Sequence, residues 1–196
     1  MDHYQQRKSK TRQRILDAGW DLFRKEGVTD SKVTDICALA GVAKKTFFNH
    51  FPTKDDLVYE LGKKNSDQLL NTISALCSTT TSTQQRIEGI FLAIAKRMKA
   101  SGAIHPEFMF SLLHSGQYGS DRGTYIFKDI FVTIAKEGIS CGDIPKQMNP
   151  DAVGNAIFGF WFALNFTRAY EGHRVALKQL QSAPEFIAAA IAGSQQ

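Results

Sequence analysis

The spacing of apolar residues is the feature that most limits the possible folds of this chain. Apolar side chains recur at every third or fourth position through most of the 196 residues, and no stretch alternates as a half-buried strand does. Glycine, proline and Ser/Thr runs interrupt this pattern at intervals. The sequence therefore predicts an all-α fold of about nine helices.

The helix bounds follow from capping residues and helix breakers. Gly27, Gly41 and Pro52 end the first three helices, and Thr53 with Asp56 fits a capping box that opens the fourth. Residues 1–8 are polar and basic and are expected to be disordered, and residues 138–145 are expected to form a loop. The predicted helices cover about residues 10–25, 33–40, 44–50, 53–77, 82–100, 106–114, 124–137, 151–170 and 184–193.

Positive charge is concentrated at the start of the chain. Residues 1–54 contain eleven Lys/Arg and six Asp/Glu, a net charge of 11 − 6 = +5, which equals the net charge of the whole chain. The remainder is therefore neutral. A basic segment attached to a neutral body indicates a polyanionic partner, and a solubilising surface bias is the alternative.

Residues 33–51 combine a helix, a glycine and a second short helix, which is the arrangement of a helix-turn-helix. Gly41 allows the positive φ that such a turn can need. The second helix begins with Lys44 and Lys45, which repel each other and oppose the helix dipole, and Ala43 offers no capping side chain. A phosphate backbone would neutralise both lysines, so we interpret them as facing DNA. The alternative is a solvated helix face.

The segment from about Thr11 to Tyr59 resembles the TetR family of bacterial transcriptional repressors. The resemblance depends on Ile15, Ala18, Leu22, Phe23, Gly27, Val33, Asp35, Ile36, Ala40, Gly41, Val42, Thr46, Phe51, Lys54 and Leu57. The sequence departs from the family pattern at Phe48, where Tyr is usual, at Ala43, where Ser is common, and at Lys45, which replaces a frequent glycine. These departures shift phosphate binding from hydroxyl groups towards lysines, which predicts operator binding that weakens steeply with salt.

The resemblance implies two domains and a double-stranded DNA partner. Residues 1–53 are expected to form a three-helix DNA-binding domain, and residues 54–196 a larger helical domain for effector binding and dimerisation. A homodimer would present two helix-turn-helix units to a palindromic operator. The residues expected at the DNA are Thr34, Lys44, Lys45, Thr46, Phe48, Asn49, His50 and Lys54. Four of them are assigned to the major groove, namely Lys44, Lys45, Thr46 and Asn49, and the others to the sugar-phosphate wall. The basic side chains of Arg7, Lys8, Lys10 and Arg12 either add a DNA contact or form a solvated arm.

The helix at residues 151–170 is apolar almost all round, so it is expected to be buried on more than one side. Small side chains recur along it at spacings of four, three and four, which permits close approach of another helix. Family members use their last two helices as a four-helix dimer interface, and a central core helix of a monomer is the alternative. The predicted dimer interface comprises Ala152, Ala156, Gly159, Ala163, Ile187 and Ile191.

Most aromatic residues lie between residues 85 and 170. Such side chains either pack as a solid core or line a cavity, and the resemblance implies a cavity for a mostly apolar small-molecule effector. For His114, a capping or core role is the alternative to ligand contact. The residues expected to contact the effector are Met98, Phe108, His114, Tyr118, Phe131, Trp161, Phe162 and Asn165.

Other functional classes find no support in the sequence. Cys37, Cys77 and Cys141 are too scattered for a disulfide framework, and the five histidines lack metal spacing, so neither a metal nor a cofactor is expected. No nucleophile elbow, P-loop, zinc-protease or dinucleotide motif occurs, so the chain is not expected to be an enzyme. No signal sequence or membrane span is found, which predicts a cytoplasmic protein.

The sequence thus predicts a ligand-responsive transcriptional regulator, with repression inferred from the resemblance alone. The alternative is an architectural or partner-binding protein that binds DNA on the same scaffold without a small-molecule effector.

Overall fold

The computed structural model describes residues 3–80, 82–102, 123–171, 182–183 and 187, with side chains in the third range from 127 to 164. These residues contain seven helices and no strand, which confirms the all-α prediction. The helices predicted at 106–114 and 184–193 lie outside the described residues, apart from residue 187. The helices are α1 (His3–Glu26), α2 (Val33–Ala40), α3 (Lys44–His50), α4 (Lys54–Thr79), α5 (Thr83–Ser101), α6 (Gly123–Cys141) and α7 (Pro150–Glu171).

Helix α1 begins earlier than the sequence predicted. The expectation of disorder over residues 1–8 is wrong from His3 onwards, because the helix starts there. Residues 3–10 contain no glycine or proline, and glutamine, lysine and arginine are good helix formers, so α1 extends through them. All eight residues are exposed. The basic arm is therefore a helical extension of α1.

Helix α6 also runs further than predicted, through the first half of the expected loop at residues 138–145. It ends at Cys141, and Gly142 follows with a φ of 88°. Gly138 lies inside the helix, at a position where its neighbours leave no room for a side chain. An added Cβ would lie 2.6 Å from Thr83 Oγ1 and 2.9 Å from Ile144 Cδ1. This glycine permits close packing and does not end the helix.

The described residues fall into two compact units, one of residues 3–65 with 101–102 and the other of residues 66–80, 82–100 and 123–171 with 182, 183 and 187. The predicted domain boundary between residues 53 and 54 stays a prediction. In the first unit, α1, α2, α3 and the start of α4 enclose one apolar core. Its buried members are Ile15, Leu16, Ala18, Leu22, Phe23, Val28, Ile36, Cys37, Ala40, Phe47, Phe51, Leu57, Val58 and Leu61.

The start of α4 carries the predicted capping box. The backbone N–H of Thr53 donates to Asp56 Oδ2 at 2.8 Å, and the backbone N–H of Asp56 donates to Thr53 Oγ1 at 3.1 Å. Two otherwise unsatisfied donors of the first turn are thereby paired. Helix α3 differs, because its N-cap residue Ala43 makes no side-chain capping bond.

In the second unit, polar contacts connect α5 to the end of α6. Arg86 pairs with Glu137 and also donates from Nε to the Thr80 carbonyl at 2.5 Å. The backbone N–H of Thr83, the first residue of α5, donates to Asp143 Oδ2 at 2.9 Å. This hydrogen bond stabilises the carboxylate and lowers the pKa of Asp143 below its ordinary value.

Helices α6 and α7 of the second unit pack closely against each other. They approach each other closely at Gly154, where an added Cβ would lie 2.6 Å from both the backbone N and the Cα of Val132. Trp161 and Leu164 lie further along α7 and are buried. A glycine at position 154 therefore sets how near the two helices come.

Candidate functional site

The turn between α2 and α3 depends on Gly41. This residue adopts φ 60° and ψ 44°, in the left-handed region. Its N–H donates to the Ala38 carbonyl at 3.2 Å and the N–H of Val42 donates to the Cys37 carbonyl at 3.0 Å, which is a Schellman motif. An added Cβ would also lie 2.6 Å from Arg14 Nη2. The helix-turn-helix predicted from residues 33–51 is thus present, with glycine favoured at position 41 by the positive φ.

Arg14 of α1 holds this turn from outside. Its Nη2 donates to the backbone carbonyl of Ala40 and, at 3.0 Å, to that of Gly41. These carbonyls stand at the C-terminus of α2, where the helix leaves its last acceptors unpaired. A cation at a helix C-terminus is also favoured by the helix dipole. Arg14 therefore fixes the angle at which the chain leaves α2.

Arg12, one half-turn earlier on α1, holds the opposite end of α3. Its Nη1 donates to the His50 carbonyl at 3.2 Å, and its guanidinium carbon lies 4.3 Å from the ring centroid of Phe51. Arg12 also pairs with Glu60 of α4, with Nη2 and Oε2 3.1 Å apart. Its guanidinium is thus engaged within the protein, where the sequence suggested a DNA contact or a solvated arm.

Lys54 makes a third contact of this kind. Its Nζ donates to the backbone carbonyls of Val28 and Ser31, at 2.6 and 3.0 Å, across the connection between α1 and α2. Sequence reasoning missed this role and assigned Lys54 only to the sugar-phosphate wall. One of its three N–H donors is left for a phosphate, so the DNA contact of Lys54 stays a prediction. We call Arg12, Arg14 and Lys54 the cationic frame.

The outward face of α3 carries most of the other predicted DNA contacts. Phe47 is fully buried and anchors the helix on the core, while Phe48 keeps 42% of its surface exposed. The neighbours Thr46 and His50 are half-buried. The other exposed members of the predicted set are Thr34, Lys44, Lys45 and Asn49. The structure therefore places the two lysines and Asn49 on one short helix, free of the core.

His50 carries a perturbed pKa at the end of this helix. Burial disfavours the imidazolium, and the positive charges of Arg12 and Lys8 repel it, so the pKa of His50 lies below its ordinary value. Both cations come from α1, and Arg12 is itself paired with Glu60 of α4. His50 is therefore a neutral hydrogen-bonding side chain at neutral pH.

This depressed pKa leads to a prediction about acid stability. Below about pH 6.5 the unfolded chain binds more protons at this site than the folded chain does, so the stability contributed there falls as the pH drops. We expect the wild type to lose more unfolding free energy between about pH 7.5 and about pH 5.5 than His50→Gln does. Urea denaturation at each pH measures this. The other histidines are common to both proteins and cancel, so equal losses would refute the assignment.

The structure describes four of the residues predicted to contact an effector. Met98, Phe131 and Trp161 are almost fully buried, and Phe162 is half-buried. Each of the three aromatic residues contacts another ring: Phe131 contacts Phe91, Phe162 contacts Phe158, and the Trp161 ring stacks at 5.0 Å on Phe127. The remaining candidates, Phe108, His114, Tyr118 and the side chain of Asn165, lie outside the described residues.

The predicted dimer interface lies on the outer face of α7. In the single chain its small-residue stripe is exposed, and an added Cβ at Gly159 would meet no atom within 4 Å. Ile187 is already buried, and Ile191 lies outside the described residues. The members of the exposed stripe are Ala152, Ala156, Gly159 and Ala163.

Two further properties concern the described part of the chain. No group of three or more His, Cys, Asp or Glu side chains there is arranged to hold a metal ion. None of the helices described is both long enough and apolar enough to span a bilayer.

Comparison with known proteins gives four consistent matches. Residues 15–61 match the family of bacterial regulatory proteins designated tetR. The chain is 26% identical over 172 residues to the HTH-type transcriptional repressor DhaR of Mycobacterium sp. strain GP1, covering 86% of this chain and 87% of that protein. It is 27% identical over 146 residues to the HTH-type transcriptional repressor KstR2 of Mycolicibacterium smegmatis, covering 72% and 71%. A crystal structure of a TetR transcription regulator from Haloarcula marismortui shares the fold, with a TM-score of 0.75 at 15% identity over 93% and 98% of the two chains.

The helix-turn-helix and the helical remainder define a class of DNA-binding regulators. The match to the tetR family covers residues 15–61, and over most of its length the chain is similar to HTH-type transcriptional repressors. The family and the relatives are regulators and not enzymes, in agreement with the prediction from sequence motifs.

Proposed function

We propose that this protein is a ligand-responsive transcriptional repressor that acts in the cytoplasm. It binds a palindromic operator as a homodimer and dissociates on taking up a mostly apolar small molecule. The observation that supports this most directly is the exposed pair Lys44 and Lys45 at the uncapped N-terminus of α3. Their repulsion and the helix dipole both disfavour two cations there, and a DNA phosphate offsets both effects.

The cationic frame strengthens the argument from charge. Three of the eleven Lys/Arg in residues 1–54 bind backbone carbonyls inside the unit, so their presence has a structural reason that needs no ligand. The lysines of α3 and the basic side chains of the helical arm remain outside that explanation. All of these are exposed: Arg7, Lys8, Lys10, Lys44 and Lys45. A polyanion that contacts both α3 and the arm accounts for their common sign.

Dimerisation is supported by the outer face of α7. A helix that is apolar all round is usually buried on every side. On α7 the exposed residues are small enough for a second helix to approach closely. A two-fold symmetric pair would bring two α3 helices to the two halves of a palindrome. The stripe and the helix-turn-helix therefore belong to the same proposal.

A charge placed in the stripe tests the dimer. We expect Ala156→Glu to shift the protein towards monomer, because two carboxylates would face each other across the two-fold axis without partners. Thr133→Glu, on the exposed face of α6, adds the same charge elsewhere and is expected to leave the dimer intact. Sedimentation velocity over a concentration series measures the difference. A dimer of unchanged strength in Ala156→Glu would refute the interface.

One observation about the aromatic rings of the second unit favours a second candidate function. The rings of Phe91 and Phe131 lie 6.3 Å apart, and those of Phe127 and Trp161 lie 5.0 Å apart. Rings in mutual contact are what a solid core contains. A regulator that binds DNA without a small-molecule effector is therefore the second candidate.

Fluorescence anisotropy with labelled DNA from upstream of the protein's own gene tests the proposal. We expect tighter binding to that DNA than to random DNA of equal length, and release by at least one compound from a panel of apolar small molecules. Equal affinity for both DNAs would reject the repressor. Preferential binding that no compound weakens would support the second candidate, a regulator without a small-molecule effector.

A further inference from the structure

Phe48 occupies an unusual place for an aromatic ring, because it lies on the outward face of α3 with 42% of its surface exposed. Its ring is nevertheless fixed. It packs edge-to-face on the fully buried Phe47, with centroids 5.3 Å apart and planes at 86°. The ring therefore has a defined orientation although it faces solvent.

Lys44 lies one turn before Phe48, and the two side chains meet. The Lys44 Nζ is 5.9 Å from the centroid of the Phe48 ring, within the range of a cation–π contact. Aromatic side chains on helices lean towards the N-terminus, so the ring of residue 48 reaches the side chain of residue 44. The contact follows from the helix geometry and the i, i+4 spacing.

An aromatic face suits this position for a chemical reason. Lys44 is the first residue of α3, where the helix dipole opposes its charge and Ala43 provides no cap. A carboxylate one turn later would hold the lysine but would also cancel its charge and repel phosphate. The ring holds the ammonium through its negative face and leaves the full positive charge available to an anion.

We infer that Phe48 is a positioning residue for DNA readout, holding the Lys44 ammonium in place before the operator arrives. This inference rests on the proposed function. A lysine at the start of a recognition helix can read guanine, and a fixed ammonium discriminates better than one that samples many rotamers. The ring thereby sets base preference at the position that Lys44 contacts.

A double-mutant cycle in operator affinity tests the inference, with the wild type, Phe48→Leu, Lys44→Ala and the double variant. We expect Phe48→Leu to weaken binding about two- to fivefold, the range of an exposed cation–π contact, and to add nothing once Lys44 is alanine. Phe48→Tyr keeps the ring and is expected to retain the base preference that Phe48→Leu relaxes. The control cycle pairs Phe48→Leu with Thr34→Ala on α2, where additive losses are expected.

Additive losses in the Lys44 cycle, with the wild type still preferring its operator, would overturn the positioning role alone. A wild type that does not prefer its operator to random DNA would overturn the proposed function instead. Circular dichroism checks that each variant is folded. If Phe48→Leu is not folded, Phe48→Met supplies a flexible apolar side chain for the same cycle.

Discussion

Replacing Gly154 by alanine is expected to destabilise the protein by about 3 kcal/mol. The new Cβ would lie 2.5 Å from Val132 Cγ2 and 2.6 Å from the backbone N and Cα of the same residue. A side chain can rotate away from such a clash, but a backbone cannot, so α6 and α7 would have to separate. Urea denaturation followed by circular dichroism measures the loss.

Gly159 of the same helix provides a matched control. It is exposed, and an added Cβ there would meet nothing within 4 Å. Gly159→Ala is therefore expected to leave the fold unchanged or to stabilise it by up to about 1 kcal/mol through helix propensity. If the methyl group weakens the proposed dimer, that loss will depend on protein concentration, whereas the loss from Gly154→Ala persists at saturation. Equal stability of the two variants would contradict the packing of α6 on α7.

The second large effect concerns DNA. Replacing Lys44 and Lys45 together by alanine is expected to lower operator affinity about ten- to hundredfold at physiological salt. Because each lysine places one positive charge in the groove beside the phosphates and releases counterions there, the slope of log affinity against log salt concentration should also become shallower by about 2. Anisotropy titrations across a potassium chloride series measure both quantities. An unchanged slope would show that these lysines do not contact phosphate.

The control for this experiment is the double variant of Lys136 and Lys146. Both are exposed in the second unit, and their removal changes the net charge by the same amount. We expect the Lys136→Ala, Lys146→Ala variant to bind the operator almost as the wild type does. A parallel fall in both double variants would assign the effect to net charge and not to α3.

The sequence predicted α2 and α3 to the residue, because local chemistry ends both helices. Gly41 ends α2 because it adopts the left-handed backbone conformation, and Pro52 prevents α3 from continuing. The predicted start of α1 was wrong because exposed polar residues adopt helix or coil with little difference in free energy, so their sequence does not decide between the two. The predicted end of α6 was wrong because Gly138 was read as a helix breaker. Its small size instead allows close contact with Thr83, which is distant in sequence.

The candidate site was predictable only in part. The lysine pair, the missing cap at Ala43 and the glycine turn are all visible in the sequence, and the exposure of the pair agrees with them. The cationic frame was not predictable, since its acceptors are backbone carbonyls and every residue carries one. A count of basic residues cannot tell Arg14, which binds its own fold, from Lys45, which is exposed.

The same hydrogen bonds have a consequence for how readily this regulator changes the DNA that it reads. The frame holds the turn and the end of α3 through main-chain oxygen atoms, which remain after any side-chain substitution. Outward residues of α3, such as Lys45 and Asn49, can therefore be exchanged without loosening the support beneath them. Recognition and scaffold are separable in this unit, so its operator preference is open to rewriting by a few surface substitutions, in evolution or by design.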